Sequence, residues 1–305
     1  MPHESPARRT SARRRLHRPA GVLLAALLLA LVGTVPAAGG ATAVTATSAV
    51  DAADVVDVVE GTFDVGGHRL HLSCRGTGSP TVVYLHGAIW NPEVVPHRNA
   101  VAIRDRLEDD VRVCLYDRRN VGWSDTVDAI QEPKDAMRDL EGLLDAAGIE
   151  PPYVLLGASF GGLLSYLYAN EHPDEVQGMV LLDAMFPDDL SLDPLWPRED
   201  WYQSFHADDQ CCTPERISHW KVLKKSQKYI GDEPAIPVIY LTAEQDPRNT
   251  TGIPEYDAVV LDVLAGYVDR FSPGEIRSVD APHFMEPVVP DDIADAVLDV
   301  VELTR

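Results

Sequence analysis

Cationic residues are scarce in this chain of 305 residues: 26 lysines and arginines stand against 48 aspartates and glutamates, a formal net charge of −22 at pH 7. A surface of that sign repels nucleic acid and anionic lipid headgroups, so neither is expected as a partner. Cysteine is scarce as well, with only Cys74, Cys114, Cys211 and Cys212. No C-x-x-C pair and no Cys/His spacing among them marks a metal site. Beyond residue 50 there is no internal repeat, no low-complexity tract and no long linker. Those absences leave one domain, from about residue 50 to 305, long enough to bury a large core.

The one long apolar run lies near the start. Arg8, Arg9, Arg13, Arg14, Arg15 and Arg18, against the single acid Glu4, lead into Ala20–Val32 and then into small residues at Pro36–Ala38 and Ala41–Ala43. A basic region, a short apolar stretch and A-x-A-like sites predict a secretory signal over residues 1–45, so the mature chain is expected outside the cytoplasm without stable membrane insertion. The alternative is a retained membrane anchor. Arg13-Arg14 loosely resembles a twin-arginine signal, which leaves the export route open. Outside the cytosol thiols tend to pair. Cys74 and Cys114 lie in strand-like segments and could bridge if those strands are neighbours. Cys211 and Cys212 could form a vicinal bond, join other chains or stay free.

From residue 58 onward, strand and helix signals alternate. Val58–Val65 and His68–Cys74 flank Gly66-Gly67 as a hairpin. Short apolar strands follow at Thr81–Leu85 and Val111–Tyr116. A helix over Lys134–Ala147 carries Met137, Leu140, Leu143 and Leu144 at helical spacing and stops at Gly148. Strands at Gly178–Asp183, Ile236–Leu241 and Glu275–Val279 alternate with helices at about Glu255–Phe271 and at Pro290–Glu302. Such βαβ alternation predicts a mostly parallel sheet with helices on both faces and a site at the carboxyl ends of its strands.

The central signal is Tyr153–Gly162, an apolar run ending in Gly157-Ala158-Ser159-Phe160-Gly161 and passing into Leu163–Ala169. Ser159 is thereby placed on a sharp strand-to-helix turn, a nucleophile elbow, whose glycines remove side chains that would collide. A serine needs a base, and the base needs an orienting carboxylate. His283 follows the last strand directly and is the expected base; His172 stands at a helix end, while His206 and His219 lie in an irregular stretch. Asp246, after the penultimate strand, is the preferred acid, with Asp183 as its competitor and Glu244 as a weaker one. Backbone N–H groups of Phe160, at the helix start, and Ala88, after His86-Gly87, are the expected oxyanion donors.

Taken together, His86-Gly87, Tyr116–Asp125, the Gly157–Gly162 elbow, Leu181–Ala184, Asp246 and His283 resemble the α/β-hydrolase superfamily from about residue 60 to 305. The resemblance implies a mostly parallel eight-stranded sheet with helices on both faces and a short helical cap inserted after strand 6, here residues 184–235. It also implies Ser159 as nucleophile, Asp246 as acid, His283 as base and Ala88 and Phe160 as oxyanion donors. The strand order it implies makes the Cys74 and Cys114 strands neighbours, which supports a disulfide. Asn120 stands where many relatives carry glycine, but asparagine tolerates the left-handed region. A serine at the elbow argues against the dehalogenase and epoxide hydrolase branches, which use aspartate.

In the cap, Thr213-Pro214 predicts a helix start, with Ile217, Trp220 and Leu223 on one face and Lys221, Lys224, Lys225 and Lys228 on the other. The lysine face is expected to be solvated, or secondarily to attract an anionic substrate. Trp196, Trp201, Tyr202 and Phe205 are candidates to line a pocket. The expected activity is that of a secreted serine hydrolase acting on a small-molecule carboxylic ester, needing no metal, nucleotide or flavin. Amidase or peptidase, lactonase and perhydrolase chemistry on the same triad are the alternatives, as is a low-turnover ligand-binding protein of the same fold.

Overall fold

A computed structural model describes residues 57–91, 93–192, 214–247, 249 and 252–305. The expected leader, Cys211, Cys212, His206 and the aromatic residues between 194 and 205 lie outside those residues. Eight strands form one sheet: β1 (Val58–Asp64), β2 (Arg69–Arg75), β3 (Thr81–Leu85), β4 (Val113–Asp117), β5 (Tyr153–Ala158), β6 (Val176–Leu182), β7 (Val238–Ala243) and β8 (Gly274–Val279). Their order is β1-β2-β4-β3-β5-β6-β7-β8. β1/β2 and β2/β4 pair antiparallel and the remaining neighbours parallel. The mostly parallel eight-stranded sheet is therefore the one the sequence predicts.

The apolar runs become central strands because both of their faces are covered, and every residue of β3, β4, β5 and β7 is buried. Alternation then divides the core. Val83, Leu85 and Leu155 face a layer that includes Leu140, Leu143 and Leu144 of α2 (Pro133–Ala147), Leu163 and Leu167 of α3 (Phe160–Glu171), and Leu264 and Tyr267 of the Pro254–Val268 helix. Val82, Tyr84, Val154 and Leu156 face the other layer, with Ile103 and Leu107 of α1 (Val101–Leu107) and Ile293, Val297 and Val300 of the Pro290–Leu303 helix. α2 starts with a reciprocal cap between Glu132 and Asp135 and ends at Gly148 with φ 67°. β2 and β4 place Cys74 opposite Cys114, joined as a disulfide with their Cα atoms 4.0 Å apart.

One departure concerns the insertion after β6. The short helix α4 (Asp189–Leu192) begins it, and α5 (His219–Ser226) lies near its end. The helix predicted to start at Thr213-Pro214 starts instead at Ser218, whose hydroxyl accepts from the Lys221 N–H at 3.2 Å. Residues 215–217 are drawn away: Ile217 bridges Gln131, Arg216 has φ 54°, and Glu215 is buried. The lysine face is solvated as expected, with Lys221, Lys224 and Lys228 exposed, and it makes surface contacts. Lys221 pairs with Glu132 at 2.8 Å, Lys225 with Glu171 at 2.5 Å, and Lys224 lies over the Trp220 ring. The last two helices, α6 (Pro254–Val268) and α7 (Pro290–Leu303), close the fold. Among the described residues no helix is long and apolar enough to cross a membrane.

Candidate active site

Ser159 occupies the turn between β5 and α3 with φ 48° and ψ −119°, a conformation that costs an ordinary side chain about 1–3 kcal/mol. The surrounding glycines permit it. A Cβ on Gly161 would run into the carbonyl oxygens of Leu85 and His86, and one on Gly157 would come within 2.6 Å of the Gly162 Cα. Neighbouring strands hold the turn in place: the Ser159 N–H donates to the Leu182 carbonyl at 3.0 Å.

The loop after β8 brings His283 over the serine. Its Nε2 lies 3.0 Å from Ser159 Oγ, and its Nδ1 lies 2.6 Å from Asp183 Oδ2 and 3.1 Å from Asp246 Oδ2. With carboxylates beside Nδ1, the proton belongs on that nitrogen and Nε2 is left to accept from the hydroxyl. The sequence prefers Asp246 as the single acid, but the geometry gathers both aspartates on one imidazole and puts Asp183 nearer. Asp183 follows β6 with φ 40°. Its second oxygen accepts from Asn249 Nδ2 at 2.6 Å and from the Ala243 N–H at 3.3 Å. Glu244 is directed elsewhere and accepts from Ser278. His172, the other candidate base near a helix end, stacks on Tyr168 away from the serine.

Phe160 is the first residue of α3, so its N–H has no acceptor within the helix. On the opposite side the His86–Ile89 loop passes close to Ser159; a Cβ on Gly87 would lie 3.3 Å from the Ser159 Cβ. What holds this loop was not visible in any motif. Arg118 donates Nη1 to the His86 carbonyl at 2.6 Å, Nη2 to the Gly87 carbonyl at 2.8 Å, and Nε to Glu215 at 2.6 Å. Glu215 in turn accepts the Ile89 N–H at 2.8 Å. With the flanking carbonyls turned toward Arg118 and the Ile89 amide taken by Glu215, the Ala88 N–H has no acceptor among the described residues, as is also true of the Gly87 N–H.

Electrostatics keep this framework in one protonation state. Burial alone would raise the Glu215 carboxyl, but Arg118 beside it holds it below its ordinary value. Burial likewise opposes the Arg118 charge and is outweighed by Glu215. His86 is pushed down to about 4, by burial first and by Arg118 second, so its ring is neutral at pH 7. Its Nδ1–H donates to the Gly87 carbonyl while Nε2 accepts from the Arg118 N–H. His219, its ring tilted against that of Phe160 with centroids 4.0 Å apart, is also lowered by burial to about 4. A second long-range tie supports the base: Tyr84, on β3, donates its hydroxyl to buried Glu286 at 2.7 Å, three residues beyond His283.

Two groups among the described residues bring three ligating atoms within 4.8 Å of one another: Asp183, Asp246 and His283, and separately His71, His97 and Asp117. In the first, the remaining nitrogen of His283 is engaged with Ser159.

Residues 80–211 match the family model for the α/β hydrolase fold. The chain is 23% identical over 250 residues to the uncharacterized protein YqjL of Bacillus subtilis, a match covering 76% of this chain and 91% of that protein. It is 32% identical over 134 residues to the 2-hydroxymuconate semialdehyde hydrolase of a Pseudomonas species, covering 43% of this chain and 46% of the other. Among solved structures, a Vigna radiata epoxide hydrolase mutant superposes with a TM-score of 0.59 at 16% identity, over 81% of this chain and 99% of its own. At that identity the likeness is one of fold. Strand order, matched family model and solved structures agree, and the chain has the α/β-hydrolase fold.

Proposed function

We propose that the protein is an exported serine hydrolase that cleaves a small-molecule carboxylic ester through an acyl-enzyme intermediate. The observation that carries this reading is the continuous line from Ser159 Oγ through His283 to Asp183 and Asp246, built on a strained elbow. His283 Nε2 takes the hydroxyl proton as Oγ attacks the carbonyl carbon. The two carboxylates at Nδ1 stabilise the imidazolium, and the N–H groups of Phe160 and Ala88 receive the oxyanion. Collapse expels the alcohol, which takes its proton from Nε2. Water then repeats the sequence against the acyl group and releases the acid. A basic and apolar leader together with the Cys74–Cys114 pair supports export to an oxidising compartment.

Hydrolysis of a short and a medium p-nitrophenyl ester, beside fluorophosphonate labelling, tests this reading. Turnover and labelling should both vanish in Ser159→Ala. A folded wild-type chain that neither labels nor hydrolyses would refute it and turn attention to ligand binding without chemistry.

A further inference from the structure

Outside the catalytic line, one buried cluster has no task in the chemistry described above. His71 on β2, His97 in the 3-10 turn Pro96–Ala100 and Asp117 at the end of β4 come together from three elements. Their exposures are 2%, 5% and 0%. Both imidazoles turn Nδ1 toward the same carboxylate oxygen: His97 Nδ1 lies 2.8 Å and His71 Nδ1 3.6 Å from Asp117 Oδ2. The contact of His97 is a hydrogen bond. That of His71 is too long to be one, and neither of its ring nitrogens has a hydrogen-bond partner among the described residues. A neutral imidazole always carries one N–H, so a buried ring without partners holds an unmet donor and an unmet lone pair.

We infer that His71, His97 and Asp117 form a site for a divalent transition-metal ion of the zinc type. Two imidazole nitrogens and one carboxylate oxygen are donors that such an ion prefers, whereas calcium and magnesium call for oxygen alone. Tetrahedral coordination with bonds of about 2.0 Å sets ligand atoms about 3.3 Å apart. The two distances to Oδ2 lie on either side of that value, each within about half an ångström of it, and the three residues bring ligand atoms within 4.8 Å of one another. The ion takes the place of the His97 Nδ1 proton, that ring carrying its proton on Nε2 instead, and gives the stranded His71 nitrogen a partner. A fourth position is left for water.

The surroundings suit such a site. Asp117 is oriented by the backbone N–H groups of His97 at 2.9 Å and Trp123 at 3.0 Å, the outer-shell support that metal-binding carboxylates need. The indole of Trp123 stands edge-on to both imidazoles, with centroids 4.6 and 4.7 Å away, and Arg98 stacks on that indole. Because Asp117 immediately precedes Arg118, the ion would brace the end of β4 from which Arg118 reaches the His86–Ile89 loop. Its binding does not depend on the hydrolase reading. Sequence spacing conceals the site because each ligand belongs to a different element.

The test is equilibrium binding of Zn²⁺ to the chelator-treated full chain, with Co²⁺ as a coloured probe. One equivalent should bind, with the intense visible bands of tetrahedral cobalt and a higher melting temperature. His71→Phe and His97→Phe, each checked for folding by circular dichroism, should weaken binding about a hundredfold or more, since loss of an outer-shell partner alone typically costs 10–100-fold. His283→Asn should bind as the wild type does, which separates this cluster from the one beside Ser159. Absent binding, binding undiminished in either histidine variant, or binding lost in His283→Asn would each overturn the assignment. If the phenylalanine variants fail to fold, quenching of tryptophan fluorescence by one equivalent of Co²⁺, absent in Trp123→Phe, locates the ion in their place. Unquenched wild-type fluorescence would then count against the site.

Discussion

Replacing the two aspartates on His283 separately and together tests whether they act as one group. Asp183 Oδ2 lies 2.6 Å and Asp246 Oδ2 3.1 Å from the same Nδ1. Coulomb attraction scales inversely with distance, so the farther carboxylate retains about five-sixths of the attraction of the nearer one. At an effective dielectric constant of about 20 the difference is about 1 kcal/mol, or about fivefold in rate. Either acid alone can therefore hold the imidazole in its Nδ1–H tautomer and stabilise its cation. Asp246→Asn should lower kcat/KM on a p-nitrophenyl ester about tenfold and Asp183→Asn about fiftyfold, the latter also because Asn249 and the Ala243 amide position that side chain. The double variant removes the carboxylate function altogether and should lose about 10⁴-fold, the cost of losing the triad acid where only one exists. The rate of fluorophosphonate labelling should follow the same order. A 10⁴-fold loss in one single variant with the other near wild type would show that one carboxylate does all the work. A double variant no worse than the product of the two singles would refute mutual substitution.

Glu215→Gln should leave Arg118 buried without its counter-charge and cost about 3–5 kcal/mol in urea unfolding; in the fraction that folds, kcat should fall more than KM rises, because the loop bearing Ala88 loses its anchor. Gly161→Ala forces a methyl group into the Leu85 and His86 carbonyls, and should abolish labelling while lowering the melting temperature. Stability should also depend on pH through His86 and His219, both held near 4 in the folded chain against 6.5 when free. Between those values the unfolded chain binds more protons, so folding stability rises with pH from about 4 to 6.5 and levels off above, by up to a few kcal/mol per residue. Urea midpoints measured at pH 4.5, 5.5 and 7 check this, and a flat profile would show that the two rings are not buried as neutral imidazoles.

Local signals were legible in the chain and long-range partnerships were not. The elbow is spelled out within ten residues, and His283 stands in a short loop after a strand, so both could be found from adjacency. The choice of acid was ambiguous for a physical reason: the strands ending before Asp183 and Asp246 are neighbours in the sheet, and both ends deliver a carboxylate to one point. Arg118 and Glu215 are 97 positions apart, and no periodicity announces their meeting. The misplaced helix start has the same origin. Thr213-Pro214 is a sound local signal, but the demands of Arg118 on Glu215 and of Gln131 on Ile217 take the next residues out of the helix. α1, seven residues long with no side-chain cap at its start, offered nothing to read.

The bond between Tyr84 and Glu286 spans 202 positions, and its consequence concerns the order in which the chain is made. Tyr84 belongs to an early strand, while its acceptor arrives with the final twenty residues. Until then the phenol is a buried donor without a partner, a deficit of about 1–3 kcal/mol at the centre of the sheet. The residue that repairs it lies in the same short loop as His283, so satisfaction of the Tyr84 hydroxyl and arrival of the base are a single event. A nascent chain still lacking that loop thus carries the serine in a less stable sheet without the histidine to activate it. Chains ended before residue 283 and chains ended after residue 286 should therefore differ in both protease resistance and labelling of Ser159.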